Sequence, residues 1–136
     1  MKRPLRWFLL LASFAVGCSN IQNPFASGPK VDPRFLDYGP EPVGYQDTVR
    51  ASIQSQVASP DVLKGVEIGE AKKASYFPPE LNASGSSKPI EYLGWKVEAK
   101  YTVVSPAGGV TVNRRVFFFN NNELVVVEKA ASNAIR

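Results

Sequence analysis

The chain has 136 residues, of which 44% are hydrophobic and 21% charged, and it contains 16 lysines and arginines, 12 acidic residues, one cysteine and no histidine. The lack of histidine excludes histidine-based catalytic triads and most zinc sites, because histidine is the commonest general base and metal ligand near neutral pH. Three basic residues precede an apolar N-terminal run, and the rest of the chain has 13 basic against 12 acidic residues. This balance argues against a nucleic-acid partner.

The first 17 residues have the layout of a secretory signal peptide. A basic start is followed by an uninterrupted run of apolar and small residues from Trp7 to Gly17. This run is too short to cross a bilayer, since a spanning helix needs roughly 20 apolar residues. We therefore predict that residues 1–17 are removed and are not part of the fold.

Ala15-Val16-Gly17-Cys18 resembles the lipobox of bacterial lipoproteins. The resemblance implies cleavage between Gly17 and Cys18 and lipidation of Cys18, which would attach the protein to a membrane, since two or three acyl chains hold firmly where one holds only marginally. Ser19 stands where an aspartate marks inner-membrane retention in enterobacterial lipoproteins, so the resemblance implies the outer membrane, with the domain facing the periplasm. The alternative is an ordinary signal peptide with Cys18 as a free thiol.

Residues 18–36 are predicted to form the lipidated N-terminus and a flexible tether. Prolines stand at positions 24, 29 and 33, and no helical or alternating pattern is present. Docking of Phe35 on the domain is an alternative for the end of the tether. After a turn-rich entry at residues 37–44, apolar residues recur every four positions from Tyr45 to Val57 and predict one short helix.

The remaining chain predicts an antiparallel sheet. A short strand at Val66–Ile68, which residues 70–75 extend, precedes a loop from Tyr76 to Ile90. Three further strands have the two-residue period of a half-buried sheet: they cover residues 95–103, 110–119 and 124–127, and turns at 105–109 and 120–122 connect them. The predicted fold class is α+β, with one short helix packed on an antiparallel sheet of three to four strands. The domain covers residues 37–129, and residues 130–136 form a C-terminal tail.

One face of the predicted sheet is a candidate partner surface. Alternation places Val110, Val112, Val116 and Phe118 under the helix. Phe117 and Phe119 then lie on the other face, exposed beside Lys96 and Arg115. Coverage of these phenylalanines by the 76–90 loop is the alternative explanation. At the entry, Asp37, Tyr38 and Tyr45 are predicted to form a structural clasp, with a small pocket as the alternative.

Several short motifs resemble a family of small proteobacterial lipoproteins of uncharacterised function. They are Asp37-Tyr38-Gly39-Pro40, the helix from Tyr45, Ser59-Pro60-Asp61, Gly94-Trp95 and Gly108-Gly109. The resemblance covers most of residues 36–127, although Ser105-Pro106-Ala107 replaces an expected asparagine-rich approach to the glycines. It implies a location and a fold, and no chemistry.

The sequence therefore predicts a non-enzymatic, lipid-anchored lipoprotein that binds or scaffolds a protein partner in the cell envelope. No cofactor, metal or nucleic acid is expected. A small periplasmic hydrolase with a serine–lysine or paired-carboxylate site is one alternative, and an accessory lipoprotein of a secretion or outer-membrane assembly apparatus is another.

Overall fold

The computed structural model describes residues 31–83, 88–130 and 135–136. The predicted signal peptide, the cleavage site at Gly17 and Cys18, and most of the predicted tether lie outside the described residues. Within the described ranges, no helix is both long enough and apolar enough to cross a membrane.

One main helix and five strands make up the domain. Helix α1 spans Tyr45–Ser55 and a short helix α2 spans Pro79–Asn82; the strands are β1 (Leu63–Ile68), β2 (Lys72–Tyr76), β3 (Tyr92–Val104), β4 (Val110–Asn120) and β5 (Glu123–Lys129). Single 3-10 turns lie at Pro33–Phe35 and Pro60–Val62. The predicted α+β class is confirmed.

All strand pairs are antiparallel, and β3 is central. β4 and then β5 lie on one side of β3. On its other side β1 pairs with Ala99–Val103 and β2 pairs with Tyr92–Lys96. Between them the Gly69 N–H donates to the Glu98 carbonyl at 2.8 Å. The five strands therefore fill four positions, because β1 and β2 share one edge.

Helix α1 covers one face of the sheet, which we call the helix face. Gly44 adopts the left-handed conformation before the helix (φ 66°), and Asp47 lies in its first turn, where a negative charge suits the positive end of the helix dipole. Val49 and Ile53 are fully buried. They form one cluster with five sheet residues: Val97, Ala99, Tyr101, Phe117 and Phe119.

The prediction that Phe117 and Phe119 lie exposed on the other face is wrong. Trp95 pairs with Phe119 and Val97 with Phe117, and directly opposite residues share a face. Phe117 and Phe119 are therefore under α1, with 0% and 1% of their surface exposed. Helix α1, and not the described part of the 76–90 loop, covers them.

The face away from α1, here the opposite face, has a second buried cluster: Ala74, Tyr76, Phe118 and Ile135. Ile135 reaches it because the chain end pairs with β2, where the Ser75 and Arg136 backbones exchange two hydrogen bonds of 2.8 Å. At the other terminus of the described chain, Phe35 stacks on Tyr92 with 4.1 Å between ring centroids. Packing thus reaches beyond residues 37–129 in both directions.

Candidate partner surface

The four residues of the predicted partner surface do not form one surface. Phe117 and Phe119 are core residues. Lys96 lies on the opposite face, where its Nζ is 3.6 Å from the Glu98 carboxylate. Arg115 lies on the helix face, paired across the sheet with Ala99 and with Lys129.

The entry segment is fastened to the sheet by the turn between β4 and β5. The buried Asn120 side chain donates to the carbonyl of Asp37 at 3.2 Å and to that of Leu93 at 2.9 Å. The Val43 N–H donates to the Asn122 side chain at 3.0 Å. Asn122 and its neighbour Asn121 have left-handed φ angles of 64° and 49°, a conformation that asparagine tolerates.

Three aromatic side chains complete this clasp. Trp95 Nε1 donates to the Gly39 carbonyl at 3.3 Å, and the Tyr45 hydroxyl donates to the Gly69 carbonyl at 3.2 Å. The Lys73 Nζ lies 5.2 Å from the ring centroid of Tyr38. The described contacts of the entry residues are therefore those of a structural clasp.

At the other end of the sheet, the hairpin of β3 and β4 extends beyond β5. β5 pairs with β4 from Asn120 back to Arg115, whereas β4 begins at Val110. Among the described residues, no strand pairs with the outer edge of β4 between Val110 and Asn113. Val110 and Val112 are also exposed here, at 67% and 55%.

A cavity of about 420 Å³ lies where β5 stops, and we call it the notch. Its lining residues are Val112, Asn113, Arg114, Arg115, Lys129 and Ala130. Three of them are cations and none is an acid. Within the described part of the chain, no carboxylate lies within ion-pair distance of Arg114, Arg115 or Lys129. The notch is therefore a concave site of uncompensated positive charge.

The strand register places like charges opposite each other at the notch. Lys100 pairs with Arg114 on the opposite face, and Arg115 pairs with Lys129 on the helix face. Like charges directly opposite in a sheet are destabilising, by an amount comparable to the roughly 0.2–1 kcal/mol of a favourable pair. Glu67 reduces the repulsion between Lys100 and Arg114, because its carboxylate is 3.9 Å from the Lys100 Nζ.

A second groove, of about 480 Å³, borders the notch on the opposite face. It shares Arg114, Arg115 and Ala130 with the notch, and its other lining residues are Glu67, Ile68, Gly69, Glu98, Ala99 and Lys100. Here acidic and basic side chains are mixed. The notch, and not this groove, is the part of the hairpin end with charge of one sign.

A metal or acid–base site would need clustered ligands or titratable groups among the described residues. No group of three or more potential metal ligands occurs among them. The groups with shifted pKa values do not line the notch. Hydrogen bonds from Arg34 lower the pKa of Asp32, the same contact raises the pKa of Arg34, and burial raises the pKa of Tyr76. What the notch offers is attraction for an anion beside a free strand edge.

No protein-family model, curated protein or solved structure matches this chain. The comparisons therefore assign no activity to the notch.

Proposed function

We propose that this protein is a lipoprotein of the bacterial cell envelope, anchored through Cys18, that binds or scaffolds an envelope partner without catalysing a reaction. The notch carries this proposal. It combines uncompensated Arg114, Arg115 and Lys129 with exposed valines at an unpaired strand edge, and such a combination suits association better than proton transfer. The lipobox-like sequence supports the anchor.

The geometry of the domain supports a partner away from the anchoring membrane. Phe35 stacks on Tyr92 at the start of β3, so the tether enters at that end. The notch lies toward the other end of β3, a strand of 13 residues that is roughly 40 Å long at about 3.3 Å per residue. An anchor at Cys18 would confine the protein to a surface and raise its effective concentration there, with the notch on the part of the domain remote from the attachment of the tether.

The anchor is tested by the Cys18→Ser variant in a Gram-negative host supplied with labelled fatty acid. The wild-type chain should take up label and be shortened, whereas C18S should remain an unlabelled precursor. Ser19→Ala is the matched control, and it should be labelled as the wild type is. Equal labelling of C18S would exclude lipidation at Cys18.

Partner binding is tested by placing a photo-crosslinking residue at Thr111, on the free edge, in intact cells. Thr111 is exposed, and Gln54 on the exposed side of α1 provides the matched control position. A defined adduct with an envelope protein is expected from position 111 and not from position 54. The same adducts from both positions, or none from either, would contradict binding at the notch.

A further inference from the structure

The free edge of β4 has the backbone geometry to accept another strand. The Ala130 N–H donates to the Arg114 carbonyl at 3.3 Å, so the polar backbone groups of Arg114 point toward the β5 side. Because these groups alternate along an antiparallel strand, the N–H and C=O of Val112 and Val110 point the same way. Among the described residues, no strand pairs with this edge of β4 beyond the contact with Ala130.

Side chains at the edge specify what an added strand would carry. Val110, Val112 and Arg114 alternate on the opposite face, while Thr111 and Asn113 point to the helix face. A strand beside them would place apolar residues next to the valines. At its end in the notch, carboxylates would meet the three uncompensated cations.

We propose that the notch and the free edge of β4 bind an extended acidic segment of a partner polypeptide, which adds as a strand in line with β5. This inference deepens the proposed function and rests on it, since it names the chemistry of the partner. Main-chain hydrogen bonds supply affinity in such strand addition, and alternate side chains supply specificity. The like-charge pairs Lys100–Arg114 and Arg115–Lys129 then have a function, because a bound carboxylate relieves their repulsion.

A polypeptide fits this site better than an anionic lipid surface. Cations next to exposed valines also suit a membrane interface, but the tether enters the domain at the end opposite the notch. A lipid headgroup also makes no use of the backbone groups of Val110 and Val112. Vesicles are therefore an arm of the test.

The probe is a peptide of sequence Glu-Glu-Val-Thr-Val-Thr, acetylated and amidated at its ends, added to the full chain labelled with nitrogen-15. We expect the amide resonances of Val110 to Arg114 to shift and hydrogen exchange of the Val112 amide to slow about tenfold or more. The double variant Arg114→Glu with Lys129→Glu should bind at least about tenfold more weakly. Arg50→Glu with Lys72→Glu makes the same charge change away from the notch, and it should change affinity less than about twofold.

Two further probes separate strand addition from charge attraction alone. The same peptide N-methylated at alternate residues keeps its carboxylates but loses backbone donors, and its binding should be lost. Vesicles of phosphatidylglycerol should not shift the Val110–Arg114 resonances. Binding of the methylated peptide equal to that of the parent, shifts caused by vesicles, or no peptide binding at millimolar concentration would each overturn the inference.

A negative result of this experiment can be distinguished from negative results of the anchor and crosslinking tests. Labelling at Cys18 and crosslinking from position 111, without peptide binding, would support the proposed function and exclude the acidic strand as the partner. Peptide binding without uptake of fatty acid would support the strand-binding site and exclude the anchor at Cys18.

Discussion

Arg115 of β4 and Lys129 of β5 lie directly opposite each other, so two cations share the helix face at the residue where β5 ends. Neither has a carboxylate partner among the described residues, and both line the notch. The register between β4 and β5 thus creates a local repulsion at the site that we propose for partner binding. This relationship makes stability and binding respond in opposite directions to one substitution.

Lys129→Glu should raise the free energy of unfolding by about 0.5 kcal/mol, because an opposite-charge pair replaces a like-charge pair. Urea unfolding measures the change, and added salt should reduce it. Arg50→Glu, on the exposed side of α1, makes the same charge change without a cross-strand partner and serves as the control. Loss of stability in K129E alone would contradict the observed pairing.

Phe117→Ala should lower the free energy of unfolding by about 3–5 kcal/mol, because the ring is fully buried beneath α1 and its loss leaves a cavity. That is a large part of the roughly 5–15 kcal/mol that stabilises a domain. Val112→Ala, at an exposed position of the same strand, should cost about 0.5 kcal/mol or less. Equal effects of the two variants in urea unfolding would contradict the burial of Phe117 beneath α1.

Asn120→Asp should loosen the entry clasp. The side chain keeps its size but no longer donates to the carbonyls of Asp37 and Leu93. Because Asn120 is 3% exposed, the substitution also places a carboxylate at a buried position against two carbonyl oxygens, at a cost of at least about 1–3 kcal/mol. Limited proteolysis should cut residues 31–44 faster than in the wild type. Asn113→Asp is the control, and cleavage at an unchanged rate in N120D would mean that the clasp does not depend on Asn120.

Stability should fall at alkaline pH because burial raises the pKa of Tyr76. In the unfolded chain tyrosine titrates near pH 10, so the protection that the fold gives to the neutral phenol is complete below that pH. It is lost as the pH rises from there through the folded-state pKa, because the unfolded chain releases its proton first. Urea unfolding at a series of pH values should show a shallower alkaline decline for Tyr76→Phe, and identical declines would exclude this origin.

The sequence predicted the elements better than it predicted the faces of the sheet. α1, the three long strands and both turns follow from local periodicity and from Gly108, Asn121 and Asn122, whose φ angles are positive. Alternation also correctly grouped Val110, Val112, Val116 and Phe118 on one face of β4. It did not identify which face is under α1, because three consecutive phenylalanines make both faces of β4 apolar.

The register of the β3–β4 hairpin determines which face of β4 lies under α1. Val104 pairs with Val110 across the five-residue turn, where the Ser105 N–H donates to the Gly109 carbonyl at 2.7 Å. A slip of one residue would move every side chain of β4 to the other face. Of the cations that line the notch, Arg115 was among the predicted partner-surface residues, whereas Arg114 and Lys129 were not, because their meeting depends on the register of β4 and β5.

The sequence by itself determined the class of fold, the turns and the lipobox-like segment, because each depends on neighbouring residues. Only the tertiary structure decided which phenylalanines are buried, where the entry segment is fastened and that three cations meet at the end of β5. These features depend on strand register and on how far one strand extends beyond its neighbour. Both bring together residues that are distant in the chain.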